Sequence, residues 1–206
     1  MATTNPGKIR EIRQLLAGLP FDLLTLDAWP HVTAPEETGQ TFEENARAKA
    51  LYYAAATGEL TVAEDSGLAI DALDGAPGVE SARYGGADLP YPAKFALIHD
   101  ALRAKHAAAD TGTRHTARFV CAVALAQGER ILFETRGTVE GEIAAEARGS
   151  GGFGYDPVFL LPSGSTTAEL PDAEKDRISH RGRAVQAAMP RLRELMTATP
   201  TAAGDR

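Results

Sequence analysis

Gly149-Ser150-Gly151-Gly152-Phe153-Gly154, followed by Tyr155-Asp156-Pro157-Val158-Phe159-Leu160-Leu161, is the stretch on which the fold turns. Its first six residues fit the G-x-G-x-x-G pattern of dinucleotide-binding folds. That pattern has meaning only after a strand and at the opening of a helix, where the helix N-terminus meets a pyrophosphate. Here a turn and an apolar strand, Pro157 to Leu161, come next. A Rossmann unit is therefore rejected, and the glycines read as a flexible loop. That loop presents the aromatic face of Phe153 for stacking and the carboxylate of Asp156 for accepting hydrogen bonds.

Moving outward, Arg118 to Leu125 and Arg130 to Arg136 are β-rich runs separated by Gln127-Gly128-Glu129, the pattern of a hairpin. Pro92 to about Ala109 predicts a helix with Phe95, Ile98 and Leu102 inward. Thr61 to Glu64 and Leu68 to Leu73 read as strand segments around an Asp65-Ser66-Gly67 turn. Thr41 and Glu44 make a capping box that opens a helix running to Thr57, with Gly58 as its stop. Phe21 to Leu26 suggests a short strand. Gly7 to Leu19 has the apolar stripe of a helix, with Asn5 as N-cap and Pro6 in the first turn. At the other end a helix starts near Ser179, carries Val185, Met189, Leu192 and Leu195 inward, and should kink at Pro190. Thr197 to Arg206 reads as a frayed tail behind a single domain of residues 1–196. Strands and helices alternate without repeat or linker, so the class is α/β or α+β.

Composition narrows the function. The 206 residues are 44% hydrophobic and 24% charged, enough for a real core without disulfides or structural metal. One cysteine, Cys121 in an apolar strand, excludes a disulfide framework and a cysteine-rich zinc site. The net charge of −7 argues against a nucleic-acid-binding surface. There is no membrane-length apolar run and no secretory signal, so a cytoplasmic setting is expected.

Four segments could carry chemistry. Thr3-Thr4-Asn5-Pro6-Gly7-Lys8 opens a helix, where free N–H groups and the helix dipole attract anions and Lys8 adds charge. It is not a Walker loop, and by itself a plain capped helix is the ordinary reading. Glu36-Glu37 and Glu64-Asp65 supply paired carboxylates of the kind Mg²⁺ takes, with water and phosphate completing its shell. Glu36-Glu37-Thr38-Gly39 lacks the upstream Arg-Glu of a Nudix box. The third segment is the loop at Phe153 to Asp156. The fourth is Lys175 with Ser179-His180-Arg181-Gly182 at a helix start.

Taken in order, these segments resemble the inosine triphosphate pyrophosphatase (dITP/XTP pyrophosphatase) family. The matching motifs are Thr4-Asn5-Pro6-Gly7-Lys8, Glu36-Glu37-Thr38-Gly39 with Phe42 and Glu44-Asn45-Ala46, and Glu64-Asp65-Ser66-Gly67-Leu68. They continue with Gly75-Ala76-Pro77-Gly78, Ser81-Ala82-Arg83-Tyr84, Gly151 to Pro157, Glu174-Lys175 and Ile178 to Gly182. The resemblance implies an α/β fold, with a mixed twisted β-sheet, flanking helices and two lobes around a central nucleotide-binding cleft. It also implies a homodimer. The implied reaction is Mg²⁺-dependent hydrolysis of ITP, dITP or XTP to the monophosphate and pyrophosphate.

By position, Thr3, Thr4, Asn5, Pro6, Gly7 and Lys8 resemble the family's triphosphate loop, and Lys49 another phosphate contact. Glu36 and Asp65 resemble the magnesium ligands, Asp65 also the base that activates water, and Ser66 a substrate contact. Phe153, Gly154, Tyr155, Asp156, Lys175, His180 and Arg181 resemble the base-recognition set. One departure stands out: the family usually has a full apolar strand before the phosphate loop, and here only Met1-Ala2 precede Thr3.

Overall fold

The computed structural model describes residues 1–109 and 115–198. The hairpin is its backbone. Strand β2 (Thr116–Gln127) turns at Gly128-Glu129 into β3 (Arg130–Ile143), longer on both sides than the apolar runs alone predict. Strand β1 (Thr61–Ile70) flanks β2, and the two-residue β4 (Phe159–Leu160) flanks β3, giving the order β1-β2-β3-β4. The α/β class is as expected, but every pairing among the described strands is antiparallel rather than mixed.

Helix α2 (Phe42–Thr57) covers one face of the sheet. Its start is the expected Thr41–Glu44 capping box, and Gly58, in the left-handed region at φ 74°, ends it. Small residues on both sides let it sit close, with Ala46, Ala50 and Ala54 buried against Ala63, Ala122 and Ala124. Helix α5 (His180–Ala198) covers the opposite face, where Ala184 meets Cys121 and Val123. Helix α1 (Pro6–Leu15) packs on α5 through Ile12, Leu16 and Val185. Helix α3 (Tyr91–Ala109) builds a second core from Phe95, Ile98 and Leu102 with Leu68, Ile70, Phe119 and Phe159. The two large cores thus claim opposite halves of β1, Ala63 in one and Leu68 and Ile70 in the other. Glu64-Asp65-Ser66 lies between them.

Three local expectations are corrected. Asp65-Ser66-Gly67 is not a turn: β1 runs through it unbroken, paired to Cys121 and Ala122. Gly67 is there for close packing, because a Cβ would collide with Ser81 Oγ. Phe21–Leu26 forms no strand and leads instead into a 3-10 turn at Leu26–Ala28. The strand expected over Pro157–Leu161 shrinks to β4, because Asp156–Val158 form another 3-10 turn. A further helix, α4 (Asp172–Ile178), precedes α5 and was not anticipated. The N-terminal stub is tied to β1 by the Ala2 N–H, which donates to the Val62 carbonyl at 2.8 Å. The expected tail lies, from residue 199 on, outside the described residues. Among the described residues no helix is long and apolar enough to cross a membrane.

Candidate active site

A cleft of about 290 Å³ opens at the edge of β1 between the two cores. Successive side chains of a strand point to opposite faces, and that alternation sorts the chemistry. Asp65 projects to the α2 face. There Lys49 Nζ donates to Asp65 Oδ1 at 2.9 Å and to Glu37 Oε1 at 2.6 Å, while Asn45 Nδ2 donates to Asp65 Oδ2 at 3.3 Å. Arg83 Nη1 reaches Glu37 Oε2 from the rim at 3.2 Å. Burial raises the Asp65 carboxyl above its ordinary range, with Lys49 opposing it. For Glu37 burial also pushes upward, but its bonds to Lys49 and Arg83 prevail and hold it low.

Glu64 and Ser66 project to the α5 face. Arg181, only 1% exposed, donates from Nη1 to Glu11 Oε2 at 2.5 Å and from Nη2 to Ser66 Oγ at 2.9 Å and Glu64 Oε2 at 3.3 Å. Lys8 Nζ pairs with Glu64 Oε1 at 2.6 Å. Lys175, from α4, donates to Glu11 Oε1 and Asp156 Oδ2, both at 2.6 Å. Burial opposes the charge on Glu11 and Glu64, yet the surrounding cations outweigh it and hold Glu11 below, and Glu64 well below, the usual range. Burial, then the Arg181 charge, keeps the imidazole of His180 neutral. His180 stacks on Phe119 with 4.8 Å between ring centroids. Its Nδ1, and Arg181 Nε, are buried without a hydrogen bond.

Of the expected phosphate loop, Thr3, Thr4, Asn5 and Lys8 line the cleft. Asn5 Oδ1 already caps α1, accepting from the Gly7 and Lys8 N–H groups. Pro6 does not line the cleft. Gly7 is covered by Phe153, and a Cβ there would lie 2.5 Å from the ring, so only glycine allows this contact. Lys175 Nζ and Arg181 Cζ sit 5.1 and 5.5 Å from the same ring.

Lys49, Asp65, Ser66, Phe153, Gly154, Tyr155, Asp156, Lys175, His180 and Arg181 all reach the cleft wall. Two of these have other work. Asp156 is engaged by the Phe153 N–H at 2.7 Å, Thr167 Oγ1 at 2.8 Å and Lys175, so it pins the glycine loop. Tyr155 donates its hydroxyl to the Ser81 carbonyl at 2.9 Å. Glu36 is the exception: it is exposed and off the cleft, and its neighbour Glu37 faces inward instead.

Sequence reasoning missed Glu11, Asn45 and Lys94. Each is a polar residue on the buried face of a helix, and that was the available signal. Asn45, 1% exposed, accepts from the Gly39 N–H at 2.8 Å and so joins the loop before α2 to Asp65. Lys94, also 1% exposed, gives its three protons to the Ala82, Tyr84 and Gly86 carbonyls, fixing the loop that carries Arg83.

Asp65 and Glu37 are hard oxygen donors gathered around one ammonium, a set that suits Mg²⁺. Among the described residues no group of three or more His, Cys, Asp or Glu gathers as a cage. A metal held here would complete its shell from water and phosphate.

A cleft with carboxylates and lysines on one side and a buried guanidinium, an imidazole and an aromatic ring on the other defines a nucleotide-processing class. The chain belongs to the Ham1 family, whose pattern it matches over residues 1–191, and it is a hydrolase of that family. It is 51% identical to the dITP/XTP pyrophosphatase of Gloeobacter violaceus over 90% of this chain and 89% of that protein. To the dITP/XTP pyrophosphatase of Streptomyces coelicolor it is 45% identical, over 95% and 97%. Its fold matches the solved HAM1 protein of Coxiella burnetii with a TM-score of 0.84 and 41% identity, over 94% and 96% of the two chains.

Proposed function

We propose that this enzyme hydrolyses deaminated purine nucleoside triphosphates (ITP, dITP and XTP) to the monophosphate and pyrophosphate, with Mg²⁺, clearing them from the nucleotide pool. The observation that carries the reading is the division of one strand: Asp65 faces lysine and carboxylate, while Ser66 faces the buried Arg181.

The polyphosphate lies toward Lys8, Lys49 and the start of α1, where fixed positive charge offsets charge developing on the leaving pyrophosphate. Glu37 and Asp65 would hold Mg²⁺, which when bound neutralises and orients the phosphates. Asp65 takes the proton from the attacking water. The new bond joins water oxygen to the α-phosphorus as the bond from that phosphorus to the bridging oxygen of the β-phosphate breaks.

Base choice rests on the other face. Arg181 and the neutral His180 direct hydrogen-bonding groups at the purine, and a 6-oxo group satisfies a donor that adenine's amino group leaves unpaired. A site built this way rejects the mismatched analogue strongly, because buried polar atoms lose their partners. By resemblance the enzyme is a homodimer, and a cytoplasmic setting is what its sequence leads us to expect. Pyrophosphate release from ITP, XTP, ATP and GTP, with and without Mg²⁺, tests the reading. Fast release from ITP and XTP relative to ATP, lost in EDTA, is expected; GTP, which shares the 6-oxo group, reports whether its 2-amino group is also rejected. Equal rates on all four would leave a general triphosphate hydrolase, and binding without turnover would leave a nucleotide sensor.

A further inference from the structure

Glu64 has no place in the mechanism above, yet its side chain is 1% exposed and touches cations from both ends of the cleft. Oε1 holds Lys8 Nζ at 2.6 Å, and Oε2 lies 3.3 Å from Arg181 Nη2. β1 places it opposite to Asp65, away from Lys49 and Glu37. A carboxylate this deeply buried is stable only while paired, and losing a partner is costly. We propose that Glu64 is a positioning residue that couples recognition of the polyphosphate to recognition of the base. The inference rests on the assignment of the two ends of the nucleotide given above.

The two partners differ in freedom. The Lys8 side chain is 16% exposed and can swing toward phosphate, whereas Arg181 is enclosed and anchored by Glu11 and Ser66 Oγ. The 3.3 Å separation from Glu64 is the longest of the three contacts that Arg181 makes with these side chains. An ammonium has three protons, so Lys8 can meet the polyphosphate while still holding Glu64 Oε1. The carboxylate is then set from the phosphate end, and its Oε2, which also accepts from Cys121 Sγ at 3.3 Å, sets Arg181. That hold aims the donor that faces the purine. Base selectivity then depends on Lys8, a residue placed at the phosphate end.

The test is kcat/KM for ITP and for ATP at saturating Mg²⁺ in the wild type, Lys8→Met, Glu64→Gln and the double variant, with thermal unfolding to confirm each fold. Lys8→Met should lower the ITP/ATP ratio by about threefold or more, on top of a loss common to both substrates, as expected for coupled neighbours. Added to Glu64→Gln, the same change should leave the ratio unmoved, because the connection is already cut. An unchanged ratio in Lys8→Met, or an equal drop in both backgrounds, overturns the coupling. Should Glu64→Gln fail to fold, Lys8→Met decides alone, with Lys8→Arg expected to restore the ratio. Equal use of ITP and ATP by the wild type would overturn the base assignment itself, and the coupling with it.

Discussion

The two faces of β1 handle charge differently. On the α2 face three carboxylates (Glu37, Asp65 and Glu80) share two cations, Lys49 and Arg83, near the mouth of the cleft. On the α5 face Glu11, Glu64 and Asp156 are matched by Lys8, Lys175 and Arg181. There all but Lys8 are buried. An uneven, partly open cluster can recruit a further cation and move a proton. A balanced, enclosed one cannot relax, and fixed donors are what discriminate between neutral bases. The same three consecutive residues thus serve reaction on one side and recognition on the other.

The hardest test of that division is Asp65→Asn. Turnover should fall by several orders of magnitude, since general-base catalysis alone contributes about 10²–10⁴-fold and a metal-binding oxygen is lost with it. Nucleotide binding should survive, because the α5 face is untouched. Pyrophosphate release and equilibrium binding measured on the same preparation separate the two. A variant keeping a tenth of wild-type activity would place the base elsewhere.

Arg181→Lys attacks the other face. A lysine keeps the charge but not the forked geometry that spans Glu11, Ser66 and Glu64. Losing a charged hydrogen bond is worth about 1.5–3 kcal/mol, so the ITP/ATP ratio of kcat/KM should fall about tenfold or more. If kcat falls equally on both substrates instead, recognition and reaction are not separated by face.

The charge network also predicts an acid limit. Glu11 has its carboxyl held below the ordinary 4.5 in the folded protein, so the stability it contributes is complete above that value. It is lost progressively as pH falls through the lowered folded value. Glu11→Gln should therefore destabilise by about 1.5–3 kcal/mol at pH 7, and the gap from wild type should close in strong acid. Denaturant midpoints from pH 7 down to 2 measure it. A gap independent of pH would mean that packing, not charge, holds α1 against α4 and α5.

Much of this was legible in the sequence, and the failures share a cause. Helices α1, α2, α3 and α5 and the β2–β3 hairpin carry their own periodicity or caps. Asp65-Ser66-Gly67 has the composition of a turn, and only distant partners (Lys49 for Asp65, Arg181 for Ser66, Ser81 for Gly67) make it a strand. Helix α4 has no apolar stripe because its buried residue is Lys175, whose partners Glu11 and Asp156 are far off in sequence. Motif resemblance named residues most of which line one cleft. It named Glu36, which is exposed and off the cleft, while the adjacent Glu37 faces in; adjacent acids look alike until the backbone turns one inward.

That last pair gives the smallest expected effect and the finest test of the α2 face. Glu37 Oε1 lies on the ammonium that also holds Asp65, and Glu36 is exposed. If Glu37 and Asp65 hold Mg²⁺, Glu37→Gln removes one anionic ligand but leaves an oxygen in place. The Mg²⁺ concentration for half-maximal activity should then rise severalfold, about what a weakened but still present ligand costs. Glu36→Gln, whose exposed carboxylate has no ion pair among the described residues, should shift it less than about twofold, the scale of an exposed charge. Activity titrated with MgCl₂ at fixed ITP gives both numbers. A larger shift for Glu36→Gln than for Glu37→Gln would show that the loop before α2 turns over when nucleotide binds. The unequal charge on the two faces would then not be that of the nucleotide-bound cleft.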